Sequence, residues 1–363
     1  MKLLFLNHTL DASGFRLIEE FLRRGIQVEV MCAMQCAYSG RLLEMGVPVE
    51  RLVFRSKLDW HALRQLRQKL RTGGYDLVQA MTSRNVAGTL LARIGLRLPT
   101  RLIGFRGIMN GISRFDPVGR LTYLNPALDG VACVSESTRQ ALLDSGLPEE
   151  KLQTTYLGWD LPQDDSLDRT VLRQAGVPDH AFAIGCVGNI RPVKGVDLLL
   201  AAMRRLQDRP NLHLVLIGKM LDPAVASAAE HPELRQRVHC LGFRQDVEQL
   251  LRGLDLLVMP SRREGFGRAV VEAMRFGICS VVTNVGGLPE IVRHEREGLV
   301  VPPNDASALA SAIAHLQDRP ELRRQYGAAA QRRVSEVFSV ERMADRYCEL
   351  YDRILNRAQR VAA

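Results

Sequence analysis

The chain has 363 residues, 46% of them hydrophobic and 25% charged, with a formal net charge of +9 at neutral pH. That length accommodates two domains of ordinary size, and the composition is that of a globular and not a disordered chain. No apolar run approaches the roughly 20 residues of a membrane span, and Met1 to Asn7 lacks the length and cleavage site of a signal peptide.

The seven cysteines are scattered. Cys32 and Cys36 form a close pair that no second pair completes into a zinc site, so no metal is expected. Cys133, Cys186 and Cys279 stand in apolar, strand-like contexts, as buried free thiols do, and a reducing, cytoplasmic setting is expected. Residues 1–160 hold 21 Lys and Arg against 15 Asp and Glu, and the remainder holds 28 against 25. The basic excess of the first half suits anionic lipid or a phosphorylated glycan. Nucleic acid is set aside, because aromatics are few and no nucleic-acid motif is present.

Taken in order, Leu3 to Asn7 reads as a strand, His8 to Gly14 as a loop, Phe15 to Arg24 as a helix closed by Gly25, and Ile26 to Met31 as a strand. This βαβ opening lacks a G-x-G-x-x-G fingerprint, so a bound dinucleotide is not expected. Val49 to Phe54 is the next strand. Trp60 to Leu70 is a helix with Trp60, Leu63, Leu66 and Leu70 on one side and Arg64, Arg67 and Arg71 on another. It is either a basic amphipathic helix for an anionic membrane surface or an ordinary Rossmann helix with its leucines inward. Tyr75 to Met81 and Arg101 to Phe105 are strands, with Thr82 to Asn85 a loop between them. Arg106-Gly107 follows the second. An arginine there cannot act as a base; it either holds a phosphate or sugar carboxylate or is structural. Ile108 to Asn125, with Arg114, Arg120 and Tyr123, reads as an acceptor-side loop or lid. Gly130 to Ser135 is a strand leading into a serine-capped helix, and Pro162 to Asp168 is a polar, acidic linker.

Ala183 to Gly188 opens a second alternation. Its loop, Asn189 to Gly195, carries Arg191 and Lys194, a guanidinium fork and a mobile ammonium suited to a diphosphate. Strands follow at Leu212 to Gly218 and Val238 to Leu241, the latter leading into Gly242-Phe243-Arg244. Leu254 to Met259 is a short buried strand ended by Pro260. The loop Ser261 to Gly267 and a helix from Arg268 to Phe276, with Gly277 at its C-cap, come next. Two carboxylates, Glu264 and Glu272, therefore flank one strand-to-helix turn at the carboxyl end of a strand, where open α/β sheets bind ligands. Gly265 and Gly267 leave backbone N–H groups uncovered at the helix start, which suits an anion. Strands at Ser280 to Thr283 and Gly298 to Val301 and helices from Ala306 complete the chain. Alternation in both halves means two parallel, doubly wound sheets.

Glu264-Gly265-Phe266-Gly267 followed by Glu272-Ala273-Met274 resembles the E-x7-E motif of retaining nucleotide-sugar glycosyltransferases of the two-Rossmann (GT-B) kind, family 4. The resemblance covers essentially the whole chain and is strongest over residues 184–303. It implies an α/β GT-B fold of two Rossmann-like domains facing a cleft. Residues 1–165 would form the acceptor side, residues 166–340 the nucleotide-sugar side, and residues 341–363 a helix packing back on the first domain. It implies a transferase with Glu264, Arg191 and Lys194 in catalysis and Glu272 on the ribose. Gly14, Arg106, Gly188, Phe243, Gly265, Phe266 and Gly267 would line the donor. Arg106 stands where many members carry a histidine, and the arginine usual at Asn189 is absent, so Arg191 is taken to replace it. The donor, UDP- or GDP-linked, is a substrate, and no cofactor is expected. The acceptor implied is a hydroxyl of a cell-surface glycan or lipid-linked precursor of lipopolysaccharide or exopolysaccharide type. The enzyme would be cytoplasmic; on the basic-amphipathic reading of the Trp60 helix, Trp60, Arg64, Arg67 and Arg71 would attach it peripherally to the inner membrane, and on the packed-helix reading they would not. A GT-B sugar-nucleotide epimerase and a non-catalytic membrane-surface binder are the alternatives.

Overall fold

The computed structural model describes residues 1–33, 38–56, 59–113, 115–162 and 168–362. Cys36, Arg114 and linker positions 163–167 lie outside the described residues. The chain divides into two compact units, one of Met1–Gly158 with the segment from Val340 onward, the other Trp159–Ser339. The division falls before the acidic linker rather than within it.

The first unit is a seven-stranded parallel sheet in the order β3-β2-β1-β4-β5-β6-β7. Its strands are β1 Lys2–Leu6, β2 Gln27–Cys32, β3 Val49–Arg51, β4 Leu77–Ala80, β5 Arg101–Arg106, β6 Gly130–Cys133 and β7 Leu152–Thr154. Side chains alternate across a strand, and β1 shows the result. Leu3 and Phe5 enter one core, shared with helix Ala12–Arg23 and the final helix Val340–Ala362. Leu4 and Leu6 enter the other, shared with helices Trp60–Thr72 and Ser83–Arg93. Helices on both faces make the central strands apolar throughout, as parallel sheets require.

The second unit repeats the plan with six parallel strands in the order β10-β9-β8-β11-β12-β13. These are β8 Phe182–Val187, β9 Leu212–Ile217, β10 Val238–Gly242, β11 Leu256–Met259, β12 Ser280–Thr283 and β13 Gly298–Val301. In both sheets the strand order reverses once, between β1 and β4 and between β8 and β11. At such a point the following loops part to opposite faces and leave a crevice beyond the strand ends.

Several local expectations shift. The first helix begins at Ala12 because Asp11 caps it, accepting a hydrogen bond from the Gly14 N–H at 2.9 Å. Thr82 caps helix Ser83–Arg93 by accepting from Asn85 N–H, so residues 83–85 are helical rather than loop. The segment expected to be a lid contains helix Pro117–Tyr123, capped by Asp116. Of the apolar stripe on helix Trp60–Thr72, Leu63, Leu66 and Leu70 are buried, whereas Trp60 is 76% exposed. Arg67 donates to the Ala92 and Ile94 carbonyls; Arg64 and Arg71 are exposed. The leucines thus face inward as in any Rossmann helix, and only Trp60 departs from that pattern.

The last helix is anchored to the first unit by two fully buried tyrosines, Tyr347 and Tyr351, packed against Phe21. Tyr351 donates from its hydroxyl to Gln79 at 3.1 Å. At the sheet edge, Glu29 accepts from Tyr75 Oη at 2.6 Å and pairs with Lys2 and Lys69 at 2.7 Å each. Burial alone would raise its carboxyl pKa, but these three donors outweigh burial and hold it at about 2.

A carboxylate whose pKa is depressed on folding stabilises above its unfolded pKa and loses that contribution as pH falls towards the folded one. Glu29→Gln should therefore cost on the order of 1–3 kcal/mol in urea denaturation at pH 7. The difference from wild type should shrink as pH drops from the usual glutamate value of 4.5 towards about 2. A deficit independent of pH over that window would contradict the assignment.

Candidate functional site

The crevice of the second unit is built by two loops, 188–195 after β8 and 260–267 after β11, which leave adjacent strands. They are held together through their backbones. Arg262 N–H donates to the Val193 carbonyl at 2.8 Å. The Arg262 side chain donates to the Pro192 carbonyl at 2.7 Å, to both oxygens of Asp197 at 2.7 and 2.6 Å, and to Asn304 at 2.9 Å. Hydrogen bonding to this guanidinium draws the Asp197 carboxyl below its usual range. Gly195 makes the approach possible. Its φ is +66°, and a Cβ there would overlap the carbonyl oxygen of Pro260.

Across this join the Lys194 ammonium meets Glu264 Oε2 at 2.5 Å, with the two side chains 25% and 15% exposed. Lys194 ends a short 3-10 turn, Pro192–Lys194, entered from Arg191. Its side chain passes over Gly188, the first residue after β8. Arg191 is exposed at the loop tip. Glu264 is half-buried, and its backbone carbonyl accepts from Gly287 N–H at 3.3 Å. Helix Arg268–Met274 begins at Gly267, whose φ of +106° no other residue type adopts readily, and no side chain caps it. Glu272 sits on this helix with Arg268 one turn before it, 3.9 Å away.

The structure thus gathers Gly188, Arg191, Lys194, Glu264, Gly265, Gly267 and Glu272 on the two loops and the helix that opens from the second. Phe243 follows β10, two strands away in the same sheet, and is 65% exposed with the Lys219 ammonium 5.7 Å above its ring. Phe266 differs from expectation. Its ring is buried, stacked on Trp159 at 6.2 Å and edge-on to Phe338 at 5.9 Å, so only its backbone faces the loop chemistry.

Two candidates belong to the first unit. Gly14 lies within the first turn of helix Ala12–Arg23 rather than in a loop. Its N–H is taken by Asp11, and a Cβ would press on Leu10. Arg106 ends β5 and is 7% exposed. Its guanidinium lies 4.9 Å from the Tyr123 ring centre and donates to the Asn110 carbonyl at 2.6 Å. It shapes its own unit, and its Nε is buried without a hydrogen-bond partner among the described residues. Among the described residues no group of three or more His, Cys, Asp or Glu is placed to hold a metal. None of the described helices is long and apolar enough to cross a membrane.

Sequence reasoning passed over Arg262, Asp197 and Lys219. The signal for the first was present in Arg262-Arg263-Glu264, three charged residues in the loop after a buried strand. Its partner, 65 positions earlier, follows no periodicity.

Comparison with known proteins places both halves. The family model for group 1 glycosyl transferases matches residues 168–333, and that for glycosyltransferase family 4 matches residues 14–163. N-acetyl-alpha-D-glucosaminyl L-malate synthase of Bacillus anthracis is 28% identical over 229 residues, 62% of this chain and 60% of that one. The lipopolysaccharide core biosynthesis mannosyltransferase LpsB of Rhizobium meliloti is 32% identical over 199 residues, 52% of this chain and 56% of that one. The chain thus spans a little over half the length of these curated relatives. HepE of Anabaena, solved in complex with UDP-glucose, shares the fold with a TM-score of 0.79 at 24% identity, covering 96% of this chain and 98% of that one.

The two-loop join makes its own prediction. Lys194→Met, Glu264→Gln and the double variant should show a coupling of about 1 kcal/mol in chemical denaturation, as contacting charged groups do. Additive losses would mean that the pair adds no measurable attraction to the join between the loops.

Proposed function

The chain belongs to the glycosyltransferases of group 1 and family 4, with the GT-B fold, and from that premise we propose that it transfers a sugar from a nucleotide-sugar to an acceptor hydroxyl with retention of configuration. The observation that carries this reading is the Lys194–Glu264 pair at the strand-order reversal of the second sheet, with exposed Arg191 beside it. An ion pair at 2.5 Å is a resting arrangement. A diphosphate entering the crevice offers Lys194 a stronger partner and frees Glu264 to accept hydrogen bonds from sugar hydroxyls.

Transfer then needs countercharge where the leaving diphosphate forms. Arg191 would supply a planar fork and Lys194 a mobile point charge, both carried by loop 188–195. Backbone N–H groups of Gly265 to Gly267, at the uncapped start of helix Arg268–Met274, add partial positive charge. Glu272, on the same helix, would accept from vicinal ribose hydroxyls, and exposed Phe243 would offer a flat apolar face to a base. These cations stand in the role a divalent metal takes in other transferases, so turnover without metal is part of the proposal. A UDP- or GDP-linked donor is the reading; UDP is favoured because the similar HepE was solved with UDP-glucose.

For the acceptor we infer a cell-surface glycan or lipid-linked precursor, which agrees with the basic first half and with the similarity to a lipopolysaccharide core mannosyltransferase. Work at a cytoplasmic membrane face is part of that reading. Exposed Trp60, flanked by exposed Arg64 and Arg71, would rest on anionic headgroups.

Release of nucleoside diphosphate from UDP- and GDP-sugars in the presence of a lipid-linked glycan acceptor tests the reading. Lys194→Ala and Glu264→Gln should each lower kcat by about 10²-fold while leaving circular-dichroism spectra unchanged. Near-normal turnover in Glu264→Gln would remove that residue from the site. EDTA should leave the rate within twofold; loss restored by a divalent ion would overturn metal independence.

A further inference from the structure

In the first unit, helices Ser83–Arg93 and Pro117–Tyr123 enclose a cavity of about 880 Å³. Its walls are mainly Ala87, Leu90, Leu91, Ile94, Val118 and Leu121. Helix Ser83–Arg93 is apolar on both sides. Val86 and Ala92 face the sheet, and Leu90 and Leu91 carry that core outward to the groove. At the groove mouth Ile94 is 67% exposed and Leu121 70%, apolar surface that a chain without a ligand has reason to cover. The volume is that of an ordinary small-molecule site.

The wall also says what kind of ligand fits. Its uncharged polar side chains each already bond to the protein itself. Thr122 donates to the Val118 and Gly119 carbonyls, and Asn125 donates to the Leu121 carbonyl and accepts from Ala127 N–H. Ser83 is bonded to the Tyr123 hydroxyl. A peptide strand or helix end would leave its backbone groups unanswered here, which is costly. A hydrocarbon chain asks for no hydrogen bonds. Among the described residues, both ionisable groups in the wall are arginines, Arg84 and Arg93, and no carboxylate lines it. Arg93 is held by the Thr100 carbonyl at 2.7 Å, with Asp129 3.9 Å away. Arg84 is exposed at the rim with one guanidinium nitrogen on the Phe54 carbonyl. The combination is apolar walls and a cationic rim.

We propose that this groove seats the hydrocarbon chain of a phosphate-bearing lipid, with Arg84 meeting the phosphate. The site uses no residue of the donor crevice, and its occupancy is read without any sugar donor, so its failure would leave the transfer reading untouched.

The test is calorimetric titration of the full chain with dodecyl phosphate below its micellar concentration, with inorganic phosphate and dodecyl maltoside as comparison probes. Saturable one-to-one binding of dodecyl phosphate is expected, and none of inorganic phosphate. Ala87→Phe, which fills the groove, should weaken binding at least tenfold. Arg84→Glu should weaken dodecyl phosphate several-fold without changing dodecyl maltoside. Melting temperatures of both variants check their folding, and Leu121→Asp, at an exposed position, serves if Ala87→Phe does not fold. Wild-type affinity in the filled-groove variant, or equal and unaltered binding of both amphiphiles, would overturn the proposal. So would a wild-type dimer that Leu121→Asp dissolves, which would assign the groove to a second copy of the chain.

Discussion

Two loops in the second unit can carry opposite charges to one point only because the backbone between them approaches to contact. Strand order reverses between β8 and β11, so the loops leave neighbouring strands. Gly195 then lets the first pass against the Pro260 carbonyl, and Arg262 ties the second back to Pro192, Val193 and Asp197. Lys194 and Glu264 are the two ends of that construction. Their positions follow from sheet topology and one missing side chain more than from attraction between them, because an ion pair with partial exposure contributes little on its own. In the proposed reaction these charges would meet a ligand in positions the fold has already set, which is what electrostatic catalysis uses.

The same topology recurs in the first unit, yet its loops are used differently. Asp11 takes the Gly14 N–H for a helix cap, and Arg106 is folded over Tyr123. The side chains that set this unit apart are the apolar ones on helices Ser83–Arg93 and Pro117–Tyr123 and the exposed Trp60. The final helix belongs to this unit through Tyr347 and Tyr351, although the whole second unit, Trp159–Ser339, separates it from Gly158 in sequence.

Much of the architecture is legible in the chain because parallel strands buried on both faces print as short apolar runs. Each strand read from the sequence has its counterpart, with ends shifted by a few residues. Helix starts were less legible where an acidic or hydroxyl cap hid inside a polar stretch, as at Asp11 and Thr82. In the candidate site, the cations and carboxylates stood out in the sequence because they lie beside glycines after apolar strands. Phe266 misled, since an aromatic between two glycines in a ligand loop reads the same whether it faces ligand or core. Only the positions of Trp159 and Phe338 show that its ring turns inward. For Arg106 the sequence left a ligand role and a structural one open, because its Tyr123 partner lies on a helix that the sequence left irregular.

The account depends most on Lys194 and Glu264 exchanging each other for the two parts of one donor. A crystal structure of the chain with bound UDP-glucose or its GDP counterpart tests this directly. The account predicts Lys194 Nζ within hydrogen-bonding distance of a diphosphate oxygen, and the Glu264 carboxylate turned from the lysine to a sugar hydroxyl. A donor bound with the Lys194–Glu264 pair intact and neither group in contact with it would contradict the account.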